Sequence, residues 1–329
     1  MAISIDLLNL QPTVITRDLS NKYLLLAAPY KYGKTTFMCN VPGALILSFE
    51  PGLNAHAGVY AQKINNWSDL KLVVRQLKDP AVMERFKCIC FDTAEIAANM
   101  CQDFICARAG VQALGEVAYG KLYKEYEIEF SKTMRTIAML GYGIIWATHT
   151  EVKSIDMGNE TVVERIQPKL DKRAFDIINS LADVIGIGVM EFDDKGNPQR
   201  KLYTRETPTI KAGNRFTYFP PVIDFSYQAV LDSLSKAIEA EGENHNAKIV
   251  DKATDEVIED LNYDAIRAEA NDLWRKLVDK NPENAPRILK RVEMIFGRKI
   301  KLSEIMEDQV DLFNLVVLDM RDMCKELGI

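Results

Sequence analysis

The sequence predicts an α/β fold with a mostly parallel sheet, and three observations carry that reading. Short apolar runs bounded by turns recur between residues 22 and 149, helical patterns lie between them, and a polar residue closes each run. Strands alternating with helices indicate βαβ units covered on both faces. Polar residues at the C-terminal ends of such strands stand where open α/β sheets bind ligands.

The runs can be taken in order. Lys22 to Ala28 reads as a buried parallel strand, and Ala44 to Phe49 as the next, ending at Glu50-Pro51-Gly52. Ser68 to Leu77 has helical spacing, with Ser68 as the candidate N-cap. Phe86 to Phe91 is a third strand, closed by Asp92-Thr93. A long helical region covers about Lys121 to Leu140, and Gly143 to Thr148 is a fourth strand, closed by His149. Beyond it, Ala182–Met190 and Arg200–Thr204 flank a turn-forming Asp193–Pro198 and read as a β-hairpin added to the sheet. A helix from about Tyr227 to Ala240 closes this first domain, 1–240. Residues 241–254 are polar and aperiodic, as a linker would be. Residues 255–329 read as a small helical domain, broken at Pro282 and Pro286 and again at Gly297.

Composition narrows the function classes. Across 329 residues, 47% hydrophobic and 27% charged content is that of a soluble globular chain. No apolar run reaches the length of a membrane span, and the N-terminus lacks a secretion signal, so a cytoplasmic protein is expected. Six cysteines without paired CxxC spacing, and only three histidines, argue against structural zinc. Disulfides are not expected in a reducing compartment. A net charge of −6 argues against coating nucleic acid by bulk charge, though not against a local basic groove.

The residues with chemistry begin at Ala28-Pro29-Tyr30-Lys31-Tyr32-Gly33-Lys34-Thr35-Thr36, between a strand and a helix. This is a phosphate-binding loop, in which backbone N–H groups surround a polyphosphate, Lys34 neutralises its charge and the Thr35 hydroxyl ligates Mg²⁺. The first position is Ala28 where the pattern has glycine, acceptable if its φ stays negative. Asp92 is the candidate second Mg²⁺ residue, against the alternative that it caps the next helix. Glu50 is the candidate that polarises an attacking water, with Glu95 competing for that role. Thr148 and His149 stand where they could contact a γ-phosphate or relay its loss. No N-K-x-D segment follows a strand, so adenine is the expected base and ATP the expected nucleotide.

The order of these elements resembles the RecA-like ATPase core. More closely it resembles the phage-encoded P-loop ATPases of that class, which include recombinase-like proteins that assist single-strand annealing. The likeness rests on Ala28–Thr36, Leu47–Gly52, Ile89–Thr93, Tyr119–Tyr123, Ile145–His149 and Lys211–Arg215, over about residues 20–230. It implies Glu50 as the catalytic glutamate, Asp92 as the Mg²⁺ aspartate and His149 as the γ-phosphate sensor. It implies that Lys211 or Arg215 reaches a neighbouring subunit's nucleotide in a homo-oligomeric ring or filament. It further implies single-stranded DNA and a phage or host single-strand-binding protein as partners, in the cytoplasm of an infected bacterium. In that family the loop after the fourth strand contacts DNA. Here Glu151 to Lys172 is mixed in charge and lacks an aromatic for stacking.

The C-terminal helices carry Lys276, Lys280, Arg287, Lys290, Arg291, Arg298, Lys299 and Lys301 around Trp274 and Phe296. They read either as a nucleic-acid backbone contact or as the solvated faces of amphipathic helices. Two further functions stay open alongside an ATPase acting in DNA recombination. One is a nucleotide-gated binding module with vestigial hydrolysis, and the other a phosphotransferase on a small acceptor.

Overall fold

A computed structural model describes residues 15–16, 19, 21–52, 56–156, 158, 162–245, 249–250 and 261–328. The chain divides into two compact units, Pro12–Glu256 and a second that contains Val257–Ile329.

In chain order the strands of the first unit are β1 (Ile15–Thr16), β2 (Tyr23–Ala27), β3 (Ala44–Ser48), β4 (Tyr60–Lys63) and β5 (Cys88–Asp92). Then follow β6 (Gly143–Thr148), β7 (Thr150–Asp156), β8 (Val162–Pro168), β9 (Val184–Phe192) and β10 (Pro198–Tyr203). The last are β11 (Gly213–Asn214), β12 (Val222–Asp224) and β13 (Ile249–Val250). Its helices are α1 (Lys34–Cys39), α2 (Trp67–Gln76), α3 (Pro80–Arg85), α4 (Ala94–Ala109), α5 (Lys121–Met139), α6 (Lys172–Leu181) and α7 (Tyr227–His245).

The main sheet runs β12-β10-β9-β2-β6-β5-β3-β4, with β11 also paired to β9. From β9 to β4 every neighbouring pair is parallel, whereas β10, β11 and β12 add antiparallel pairing at the other edge. The predicted mostly parallel α/β sheet with an added hairpin is therefore the observed one. Strand alternation sorts the side chains into two cores. Leu25, Ala27, Leu47, Phe91, Ile144 and Trp146 face α2, α4, α5 and α6, and their core is the larger. Leu24, Leu26, Ile46, Cys88, Cys90, Ile145 and Ala147 face Phe37 and Met38 of α1 and Val230, Leu234 and Ile238 of α7. Cys88 and Cys90 are thus apolar fillers of one face, and no group of residues suited to a metal cluster of His, Cys, Asp and Glu occurs among the described residues.

The structure corrects several sequence expectations. Asn66, not Ser68, caps α2, its side chain accepting from Asp69 N–H, and the helix starts one residue earlier at Trp67. The segment after His149 is not a loop. It is the antiparallel hairpin β7–β8, paired from Thr150↔Pro168 to Asp156↔Val162. α7 continues to His245, into the stretch expected to be a linker; residues 246–248 and 251–254 lie outside the described residues.

The second unit packs α8 (Tyr263–Lys280), α9 (Asn284–Phe296) and α10 (Val310–Leu327) around Ile266, Leu277, Ile288, Val292, Phe313 and Val317. Asn281 ends α8, but Pro286 does not break a helix. It sits in the first turn of α9, where a missing N–H is tolerated, and Gly297 closes that helix at φ 65°. Within the basic stretch, Lys276 pairs with Asp272 and Arg291 with Asp319, as solvated helix faces do. Among the described residues no helix is long and apolar enough to cross a membrane.

Candidate nucleotide site

The phosphate loop leaves β2 and enters α1 at the C-terminal edge of the sheet. Gly33 stands at φ 107°, a conformation that side chains disfavour, and Lys31 at φ 59°. Ala28 is not among the positive-φ residues, so its methyl meets no backbone penalty. Its space comes from a distant glycine. A Cβ at Gly188 of β9 would lie 2.8 Å from the Ala28 Cβ and 2.8 Å from Tyr32 Cε1. The Tyr32 hydroxyl donates to Val189 O at 2.6 Å and lies 3.2 Å from Lys201 O, tying the loop to the β9–β10 hairpin. Burial pushes the Tyr32 phenol up to about 12.

Lys34 is 6% exposed and its Nζ donates to Ala28 O and Pro29 O, both at 2.9 Å. Burial lowers its pKa, while Asp92, Glu95 and Glu50 act in the opposite sense. The ammonium therefore sits in the combined field of three carboxylates. Thr35 Oγ1 donates to Asp92 Oδ2 at 2.8 Å. Burial holds Asp92 above the ordinary carboxylate range, against the pull of Thr35 and Lys34. Asp92 reaches this place because β5 pairs with β3 and β6 in register, Ser48↔Asp92 and Asp92↔Ala147. The Thr35 hydroxyl and the Asp92 carboxylate are hard oxygen donors already in contact, and the neighbouring Thr93 hydroxyl is buried with no partner. That donor set fits a hydrated Mg²⁺.

Glu50 follows β3 at the same edge. Burial and the Asp92 charge raise its pKa, and His149 opposes them. β6 lies between the phosphate-loop strand β2 and the Asp92 strand β5, so Thr148 and His149 emerge between Lys34 and Asp92. Glu95, weighed as a base from the sequence, instead holds this strand end. Its Oε2 accepts from Thr148 Oγ1 at 3.0 Å and from His149 N–H at 3.1 Å, and its Oε1 accepts from His149 Nδ1 at 2.6 Å. The exposed ring of Tyr30, within the phosphate loop, stacks on the His149 imidazole at 3.6 Å and 22°. The loop and the strand-end histidine are thus in direct contact.

Pro29 and Thr36 are exposed at the loop's rim. Lys211 and Arg215 do not join the site. Arg215 donates to Asp183 Oδ1 at 3.1 Å and to Ser180 O at 2.7 Å, and Asp183 also accepts from Tyr23 N–H at the opposite end of β2. The Lys211 ammonium lies 3.9 Å from the centre of the Phe175 ring.

Sequence reasoning passes over Gly188 and Arg200. For Gly188 a signal exists: glycines inside a strand pattern, here Gly186 and Gly188, mark a close approach of neighbours. Arg200 has none, being one charge beside Lys201 on an edge hairpin.

Fold and site together define a P-loop protein with strand-end acidic residues converging on its phosphate loop. Residues 20–216 match the AAA domain family, and the chain belongs to it. A relative 24% identical over 336 residues, covering 98% of this chain and all of its own, is the SPbeta prophage-derived uncharacterized protein YorG of Bacillus subtilis (strain 168). Among solved structures, the KaiC-like protein PH0186 of Pyrococcus horikoshii OT3 is 13% identical, with a TM-score of 0.32 over 59% of this chain and 84% of that one.

Proposed function

We propose that this protein binds ATP with Mg²⁺, hydrolyses it, and acts in phage DNA recombination or single-strand annealing. The observation that carries the nucleotide reading is the convergence of Lys34, Thr35, Asp92 and Glu50 at one sheet edge, with Thr35 and Asp92 in hydrogen-bond contact. The phage setting is supported by the prophage origin of the YorG relative. The DNA role rests on the resemblance to recombinase-like ATPases.

Hydrolysis at such a site is a matter of positioning and charge. Loop N–H groups would hold the β- and γ-phosphates. Lys34 would exchange its two carbonyl acceptors for phosphate oxygens. Thr35 and Asp92 would hold Mg²⁺, which when bound neutralises charge on the phosphates. The raised Glu50 carboxylate is suited to orient a water and take its proton. His149, braced by Glu95 and covered by Tyr30, would register whether the γ-phosphate is present. Lys211 and Arg215 remain candidates for contact with a neighbouring subunit in a homo-oligomer.

Lys34→Ala tests the assignment. ATP turnover should vanish while the circular dichroism spectrum is retained, and unchanged turnover would refute it. Turnover measured with and without single-stranded DNA then separates the functions. Stimulation supports the recombination reading. ATP binding without turnover supports the gated module, and a product that depends on an added acceptor supports phosphotransfer.

A further inference from the structure

Arg200 lies on β10, opposite Met190 of β9, on the hairpin that carries Tyr32's two acceptors. Its guanidinium reaches back over the phosphate loop. A Cβ built on Gly33 would stand 3.2 Å from Arg200 Nη1, and the guanidinium carbon is 5.9 Å from the centre of the Tyr32 ring. Gly33 is the residue immediately before Lys34, within the arc of backbone that a polyphosphate would follow. Among the described residues the guanidinium makes no hydrogen bond and no ion pair, although Asp183, Asp224 and Glu206 each hold another cation. An arginine with a planar fork of donors, left without an acceptor beside an anion-binding loop, is equipped for phosphate oxygens.

We propose that Arg200 is a phosphate-binding residue supplied by the chain itself, contacting the α- or β-phosphate of the nucleotide from the side of the loop opposite Asp92. The placement follows from the sheet order. β9 and β10 lie on one side of β2, and β6 and β5, which bring His149 and Asp92, lie on the other. The two flanks of the phosphate chain would thus be served by different elements: Mg²⁺ and water on the β5 side, a fixed positive charge on the β10 side. Arg200 would therefore bind ADP and ATP alike and contribute to affinity rather than to the chemical step.

The inference rests on the nucleotide reading above, and the test separates the two. MgATP and MgADP are titrated calorimetrically into wild type, Arg200→Met and Arg200→Lys, with the unfolding midpoint of each unliganded protein recorded. Arg200→Met keeps bulk over Tyr32 but removes the charge. The expected result is a loss of about tenfold in affinity for both nucleotides, about 1.4 kcal/mol. Arg200→Lys should fall between it and wild type. Equal affinity of wild type and Arg200→Met would overturn the proposal while leaving ATP binding intact, as would a loss confined to ATP. Failure of wild type itself to bind either nucleotide would overturn the reading beneath it. If Arg200→Met melts early, Arg200→Lys decides alone: a lysine variant with wild-type affinity at both 50 and 300 mM salt would again remove any need for the fork of donors.

Discussion

Gly188→Ala is the substitution that most directly probes how this phosphate loop is built. The added methyl would stand 2.8 Å from both the Ala28 Cβ and Tyr32 Cε1, closer than carbon atoms approach without displacement. Neither neighbour can retreat easily. Ala28 is bonded through its N–H to Thr148 O, and Tyr32 is fixed by Val189 O and Lys201 O. Overpacking of this kind costs about 1–3 kcal/mol. Ala28→Gly removes one of the two clashes and restores the more usual loop residue. On its own it should cost about 0.5–1 kcal/mol through chain entropy. In the double variant, part of the Gly188→Ala cost should disappear, giving a coupling of about 1 kcal/mol, well outside the roughly 0.3–0.5 kcal/mol scatter of independent sites. Urea denaturation of the four proteins measures it, and ADP affinity should follow the same order because the displaced segment is the loop itself. Strict additivity in both readouts would refute the idea that Gly188 makes room for Ala28.

Three other expectations follow from the same geometry. Asp92 has a folded pKa above its unfolded value, so the native state holds the proton more tightly and stability falls as pH rises through that window. Asp92→Asn should therefore raise the melting temperature of the unliganded protein at neutral pH, by about 2–4 °C for each kcal/mol relieved, while removing Mg²⁺-dependent turnover; a lower midpoint would contradict this. Because Glu50 is also raised, kcat should lose its activity at a pH above the ordinary carboxylate range as acid is added, and Glu50→Gln should abolish that limb along with turnover. A pH profile with no such limb in the wild type would argue against Glu50 as the base. Arg215→Ala breaks a partly exposed ion pair and should cost no more than about 1 kcal/mol in stability. A large fall in ATPase without a matching fall in stability would indicate action on a neighbouring subunit, and parallel small changes would assign Arg215 to its own Asp183.

How much of the fold and site is legible in the sequence depends on the range of the signal. β2, β3, β5 and β6 announce themselves because strands covered on both faces are continuous apolar runs. The loop and the strand-end polar residues follow from local sequence. The hairpin β7–β8 escapes such a reading because most of its residues are exposed or half-buried on both faces, so no alternation marks it. α6 does carry a local signal: Asp171 caps it through Arg173 N–H and Ala174 N–H, and Ala174, Phe175, Ile177 and Ile178 form its buried stripe. Glu95 is legible as a residue near the site but not as the brace of His149, because its partners lie more than 50 positions away. Arg200 belongs to the same class, its meaning created by the pairing of β10 with β9 and of β9 with β2, whereas Gly188 carries a local signal of close approach but not the identity of the neighbours it makes room for.

The hairpin β7–β8 is held to the rest of the first unit by hydrogen bonds at two points. At its neck Lys169 N–H donates to His149 O at 2.7 Å, and Thr148 Oγ1 lies 3.1 Å from Lys169 O. Further along, Ile166 is clamped by a bond from its N–H to Thr209 O and another to its carbonyl from Lys211 N–H. His149 and the strap at residues 207–211 are therefore joined through the backbone of one antiparallel ladder. The end of β6 and the segment that carries Lys211 are in this way linked by continuous backbone hydrogen bonding, with the β7–β8 ladder between them.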